Sequence, residues 1–236
     1  MVGGSFNLGP NPLIINAYLE SMDVNAIAVD WSQGARNIDY FQSVAKVPDV
    51  GKRIANLIKF LNQETGASFD NMHLIGHSLG AHVVGNAGRE VENITGAKVA
   101  RVTGLDPAGP LWSDNPNKIA KTDAKYVEAI HTNGGPFGLG TLKEWGAANF
   151  YPNGGVNQPG CNYPPCSHSR SYELFAATVK HNNLIGRKCP DIEAMLLHSC
   201  NGEVAPLGNS DLTKSENGVY RVDTGSKEPF NLEKDL

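Results

Sequence analysis

Apolar positions along this chain follow two periods. From Val47 to Leu61 they fall at Val50, Ile54, Leu57, Ile58 and Leu61. That spacing is one face of a helix. Asn11 to Met22 has a similar period, with Asn11 predicted as the cap and Pro12 as the first helical residue. Leu13, Ala17, Tyr18 and Met22 then share a side. Asn25 to Trp31, Asn71 to Ile75, Lys98 to Leu105 and Tyr126 to Ile130 are short, largely apolar runs that predict strands. Ala81 to Gly88, rich in small residues, and Ser169 to His181 predict further helices. Val219 to Thr224 alternates and predicts an edge strand. Buried strands alternating with helices imply an α/β fold: a mostly parallel central sheet with helices on both faces. Between Gly134 and Pro165 glycine, proline and asparagine dominate, the composition of long loops that carry function.

Composition narrows the classes. The chain has 236 residues, shows no repeat and no internal shift of composition, and predicts one domain over residues 1–236. A net charge of -4 without a basic block argues against a nucleic-acid partner. No apolar run approaches the roughly 18 residues of a membrane span. Four cysteines cluster in the last third: Cys161, Cys166, Cys189 and Cys200. Three pairings are open, and the spacing favours Cys161–Cys166 and Cys189–Cys200. Bridges imply secretion, and the sequon Asn93-Ile94-Thr95 fits glycosylation at Asn93. A secreted chain is expected to open with a leader, and Met1-Val2-Gly3-Gly4-Ser5 does not resemble one.

The chemistry centres on Gly76-His77-Ser78-Leu79-Gly80. A serine between a strand and a helix sits on a sharp turn that lifts its hydroxyl clear of the sheet. Ser78 is the candidate nucleophile, and the Leu79 N–H, just after it, a candidate oxyanion donor. Such a serine needs a base, and the base needs an acid. Asp106 ends a predicted strand in Gly104-Leu105-Asp106-Pro107-Ala108, at the same rim as Ser78, and is the candidate acid. His168 and His131 compete as base. His168 is preferred, because it lies on a loop beyond the later strands that a Cys166 bridge would steady. His77, His82 and His181 are read as structural or solvated.

These stretches, with Phe150-Tyr151-Pro152-Asn153-Gly154-Gly155 and Cys166-Ser167-His168-Ser169-Arg170-Ser171, resemble the pancreatic lipase family, most of all its insect lipases and venom phospholipases of type A1. The similarity runs in order from about Asn11 to Phe230. It implies an α/β-hydrolase fold, a triad of Ser78, Asp106 and His168, and a cofactor-free hydrolase of lipid esters at an interface. His131, in Ile130-His131-Thr132, then lies outside the triad. Four departures matter. No His-Gly strand, the family's source of the second oxyanion donor, precedes Asn11; Gly3 and Gly4 are the nearby candidates, and the first strands are expected to be missing. The lid segment between Cys161 and Cys166 has four residues, which in this family accompanies phospholipase activity. Only 68 residues follow His168, too few for a C-terminal β-sandwich, so no colipase-like partner is expected. Of the two aspartates of the family's calcium site, Asp123 is present and Ala120 replaces the other, so no metal is expected.

Overall fold

The computed structural model describes residues 9–31 and 39–232. Its elements are α1 (Pro10–Ser21), α2 (Tyr40–Thr65), β1 (His73–His77), α3 (Leu79–Thr95), β2 (Arg101–Leu105), β3 (Tyr126–Ile130) and β4 (Ala148–Pro152). There follow α4 (Pro164–His181), β5 (Ile185–Cys189), α5 (Ile192–Leu196), β6 (Val204–Pro206) and β7 (Gly218–Val222). The seven strands form one sheet in the order β1-β2-β3-β4-β7-β5-β6. The ladders from β1 through β4 to β7 are parallel, and β5 pairs antiparallel with β7 and β6. This is the α/β architecture read from the alternation.

The central strands β2, β3 and β4 are buried along their whole length. They must therefore be covered on both faces. On one face α1 packs against α4, and Ile14, Ala17, Leu174 and Phe175 join Leu105, Ile130 and Phe150 in one core. On the other, α2 packs against α3, and Val47, Ala55, Ile58, Val83 and Val91 join Val102 and Val127. Each layer completes one side of the parallel sheet.

Several expectations change. Helix α1 begins one residue before Asn11: Gly9 is its cap and Pro10 occupies the first turn, where a missing N–H costs nothing. Its buried residues are Pro10, Ile14 and Ala17, while Leu13 is exposed. Helix α2 runs through Pro48 and extends at both ends, from its Asp39 cap to a left-handed Gly66. Its buried seam is Ser43, Val47, Gly51, Ala55 and Ile58, and Leu57 faces out. Small residues win there because α3 lies close: a Cβ on Gly51 would stand 2.7 Å from Asn86 Cβ. The stretch 25–31 forms no strand. Ile27 is exposed, and a cavity of about 240 Å³ separates Val24–Ala28 from β1 residues His73, Ile75 and His77. Without a ladder partner an apolar run has no sheet to join. The tail strand β7 is interior, between β4 and β5, because Val219, Tyr220 and Val222 are all buried. Helix α4 starts at Pro164, so half the segment between Cys161 and Cys166 belongs to its first turn.

Both disulfides form: Cys161–Cys166 and Cys189–Cys200. Asn93 is exposed near the C-terminal end of α3, its amide on Glu90.

His77, His82 and His131 are buried and His73 is half-buried by the sheet and helices, and desolvation holds each below the usual histidine range. For His82 the value falls to about 3. The unfolded chain therefore binds more protons than the native one below about pH 6.5, so stability is lost as the pH falls through that range. Each such histidine contributes up to about 1.4 kcal/mol per pH unit. We expect the unfolding free energy to be flat near neutrality and to drop below about pH 6. Denaturant titrations at a series of pH values test this, and His82→Gln should reduce the slope by about one proton.

Candidate active site

The sharp turn at Ser78 follows from close packing of strand on helix. A Cβ on Gly76 would meet the Gly80 carbonyl oxygen at 2.1 Å, so only glycine lets β1 run directly into α3. Ser78 takes φ 57 and ψ -123, a strained conformation for a residue with a side chain. It is held there by its own N–H, which donates to Leu105 O at 2.9 Å, and by Ala108 N–H, which donates to Ser78 O. Leu79 is the first residue of α3. A first-turn N–H has no acceptor within its helix and lies at the positive end of the helix dipole.

Asp106 follows β2 and is also strained, at φ 40. Its carboxylate is fully buried. Oδ1 accepts the backbone N–H groups of Thr132 (2.8 Å) and Asn133 (3.1 Å), from the turn that leaves β3. Oδ2 faces His168 Nδ1 at 2.6 Å. Gly140 covers the same carboxylate so tightly that a Cβ there would stand 2.4 Å from Oδ1. The acid is thus fixed by the β3–β4 loop on one side and by α4 on the other.

His168 lies on the second turn of α4 and is buried. Its Nδ1 is committed to Asp106, which leaves Nε2 as the ring nitrogen with no hydrogen bond among the described residues. The His77 ring lies 4.4 Å from the His168 ring, centroid to centroid, and His77 Nε2 is 3.1 Å from His168 O. A carbonyl only accepts, so His77 Nε2 is the donor and Nδ1 carries no proton. That Nδ1 is buried and has no partner among the described residues. Burial first, and then the neighbouring His168, hold His77 well below the usual range.

His131 is elsewhere occupied. Its Nδ1 pairs with Thr141 O at 2.8 Å, its Nε2 with Asn149 Oδ1 at 3.2 Å, and its ring stacks on Tyr151. Both nitrogens face loop oxygens, and the neutral ring donates its one N–H to one of them. His82 likewise accepts Ile119 N–H, donates to Ala108 O and stacks on Trp112, bracing the turn after Asp106. His181 is half exposed and pairs with Glu228.

Asp123, the sequence candidate for a calcium ligand, is buried against Arg89, which reaches Oδ1 at 2.9 Å, while Ala120 N–H donates to Oδ2. Burial raises its carboxyl, and Arg89 opposes that shift. A guanidinium stands where a cation would be needed. Among the described residues no cluster of three or more histidine, cysteine or acidic side chains could hold a metal ion. Gly3 and Gly4, the candidates for a second oxyanion donor, lie outside the described residues.

The sequence comparison adds one decisive observation: the lipase family model matches residues 11–230. The chain belongs to the lipase family. It is 37% identical over 203 residues to pancreatic lipase-related protein 2 of Rattus norvegicus, covering 75% of this chain and 42% of that protein. It is 41% identical over 179 residues to phospholipase A1 of Vespa velutina, covering 70% of this chain and 58% of that one. Pancreatic triacylglycerol lipase of Mus musculus is 36% identical over 203 residues, with 75% and 43% covered. The chain thus spans about half the length of the curated relatives it matches. In this chain two strained, non-glycine residues, Ser78 and Asp106, stand at the ends of the neighbouring strands β1 and β2.

Sequence reasoning did not single out Gln158, Thr132, Asn133 or Gly140. A polar residue in a Gly/Pro-rich loop looks the same whether it is solvated or buried, and no local signal separates the two.

Proposed function

We propose that the whole protein is a secreted serine hydrolase of lipid carboxyl esters, with Ser78, His168 and Asp106 as its triad. The observation that carries this reading is the buried 2.6 Å contact between His168 Nδ1 and Asp106 Oδ2, beside a strained serine on a strand-to-helix turn. Family membership and two disulfides, the mark of an oxidising compartment, support it.

Ser78 Oγ attacks the acyl carbonyl carbon while His168 Nε2 takes its proton. Asp106 holds the ring in the Nδ1–H tautomer and stabilises the imidazolium. The Leu79 N–H donates to the oxyanion. The tetrahedral intermediate collapses, the C–O bond breaks, and the alcohol leaves with the proton from His168. Water, deprotonated by the same nitrogen, releases the fatty acid and restores Ser78. No cofactor enters.

For the substrate we propose phospholipid, cleaved at its first acyl position, in preference to triacylglycerol. The support is the short covering segment. Cys161 and Cys166 bracket four residues, two of them in the first turn of α4, leaving too little chain to roof an acyl groove. Two of the relatives described above are a phospholipase A1 and a triacylglycerol lipase.

The test is direct. The whole protein is treated with a serine-reactive phosphonate and assayed on a short-chain nitrophenyl ester, phosphatidylcholine vesicles and a triacylglycerol emulsion. The expected result is a single adduct on Ser78, ester turnover, and fatty-acid release mainly from the vesicles. Faster release from the emulsion overturns the substrate assignment. No adduct and no turnover favours the other reading, a lipase homologue that binds or stores lipid in the manner of yolk proteins.

A further inference from the structure

We infer that Gln158 is a positioning residue: its buried amide ties the turn that holds the Asp106 carboxylate to the helix that carries His168. It thereby sets the acid–base contact of the proposed triad. The inference rests on the serine-hydrolase reading for its kinetic arm and on geometry alone for its spectroscopic arm.

Gln158 lies on the loop between β4 and α4 and is only 3% exposed. Its side-chain amide donates twice, to Thr132 O at 3.1 Å and to Pro152 O at 2.8 Å. Its Oε1 accepts from Asn153 Nδ2 at 3.1 Å. The orientation of this amide is set by its partners, because a flipped group would aim Oε1 at two carbonyl oxygens. The backbone N–H of Gln158 donates to Ser167 Oγ at 3.1 Å. One residue therefore touches the end of β3, the end of β4 and the start of α4.

Two of these contacts bear on the candidate triad. Thr132, whose carbonyl Gln158 grips, gives its own N–H to Asp106 Oδ1. Ser167, whose hydroxyl Gln158 occupies, is the neighbour of His168. The flanking chain repeats the pattern. Asn133, the other N–H donor to Asp106, donates its side-chain amide to Val156 O at 3.1 Å, and Arg170 of α4 donates to Pro159 O at 3.0 Å. The acid follows β2 and the base lies on α4, and among the described residues no strand ladder joins the two. The strap from Val156 to Pro159 supplies the link.

Geometry makes the link consequential. The 2.6 Å Asp106–His168 contact is short and charge-assisted when the base is protonated. A displacement of about 1 Å in such a constellation costs on the order of a hundredfold in rate. The titratable groups facing His168 are Asp106, through its carboxylate, and His77, whose ring lies against it. Gln158 adds no charge. Loosening the strap therefore changes how well Asp106 stabilises the imidazolium, without altering the charges around it.

The experiment uses the whole protein with Gln158→Met, Ser167→Ala and, as control, Thr224→Val. Thr224 Oγ1 accepts only the far end of the network, from Asn153 Nδ2 at 2.7 Å. Three quantities are read on samples with native near-ultraviolet circular dichroism. They are kcat and KM on a soluble nitrophenyl ester, the acid limb of the kcat/KM profile, and the downfield proton resonance of the His168 Nδ1–H. We expect Gln158→Met to lower kcat about 10- to 100-fold with KM within about twofold. Its acid limb should move to lower pH and its downfield resonance should move upfield or broaden. Ser167→Ala should change the same quantities in the same direction by less, and it decides the matter if Gln158→Met does not fold. Thr224→Val should lower the melting temperature alone. An unmoved resonance and acid limb in Gln158→Met and Ser167→Ala, or equal effects in Thr224→Val, overturns the inference. Absence of turnover in the unsubstituted protein sinks the hydrolase reading instead, and the resonance still tests Gln158.

Discussion

Ser78→Ala is expected to abolish ester turnover, with a fall in kcat of about 10⁴- to 10⁶-fold and an unchanged fold. The size follows from the proposed chemistry. Without Oγ no acyl-enzyme forms, and the remaining machinery can only polarise the substrate for direct attack by water. The fold should survive because Ser78 is held through its backbone, by Leu105 O and Ala108 N–H, and not through its hydroxyl. Alanine meets the same positive φ with a slightly smaller side chain, so the strain at the turn is retained. The measurement is turnover of a nitrophenyl ester with far- and near-ultraviolet circular dichroism on the same samples. Residual activity above about 1% of the parent rejects the nucleophile, since loss of a triad serine costs far more than that. The phosphonate adduct should vanish in parallel, which separates loss of the nucleophile from contamination by another esterase.

The largest expected effect on stability lies away from Ser78. Glu128, in the middle of β3, is fully buried between two cations. Oε1 faces Arg101 at 3.2 Å and Oε2 faces Lys214 at 3.1 Å. Tyr126 OH and Gly208 N–H donate to the remaining lone pairs. Arg101 also donates to the carbonyls of Gly208, Asn209 and Asp211, and Lys214 to those of Pro206 and Gly208. The cluster thus pins the segment after β6 beneath the sheet. Burial and the Glu128 charge push the Tyr126 hydroxyl above its usual range.

Glu128→Gln keeps the shape and removes the charge, leaving buried Arg101 without its Glu128 counter-charge and Lys214 with only the more distant Glu216 at 3.9 Å. Breaking a buried pair in this way costs about 3–5 kcal/mol. For a chain of this size that lowers the melting temperature by roughly 6–20 °C. Turnover per folded molecule should be unchanged, because Arg101 and Tyr126 start their strands whereas Ser78 and Asp106 follow the ends of theirs. Adding Lys214→Met should recover part of the loss, since it removes one of the stranded charges. A loss below about 1 kcal/mol in Glu128→Gln would mean that the pair is solvated and the pinning is done by backbone contacts alone.

The elbow was readable because its determinants are local. Gly76, Ser78 and Gly80 lie within one turn, and the strand before and helix after are adjacent in sequence. The short strands β3 and β1 were legible for a similar reason, as apolar runs bounded by turns. The predictions that failed depended on neighbours. Asn25–Trp31 has strand composition and no described ladder. Val219–Thr224 alternates like an edge strand, yet it lies inside the sheet because β4 and β5 flank it. The apolar stripe on α2 was displaced onto Ser43, Gly51 and Ala55, since the approach of α3 rewards small side chains there.

At the candidate site the division is similar. Residue types, the order serine, aspartate, histidine, and the likeness to lipases were all legible along the chain. The chain also favoured His168 over His131 as the base. Folding gives the two rings different surroundings: His131 turns its ring nitrogens to Thr141 O and Asn149 Oδ1, while His168 turns Nδ1 to Asp106. It also decided which loop residues, Thr132, Asn133, Gly140 and Gln158, surround the acid and brace its link to the base. The reason is physical. Turns and periodicity depend on bonds between near neighbours in the chain, whereas the setting of a buried carboxylate depends on groups that only folding brings within 3 Å.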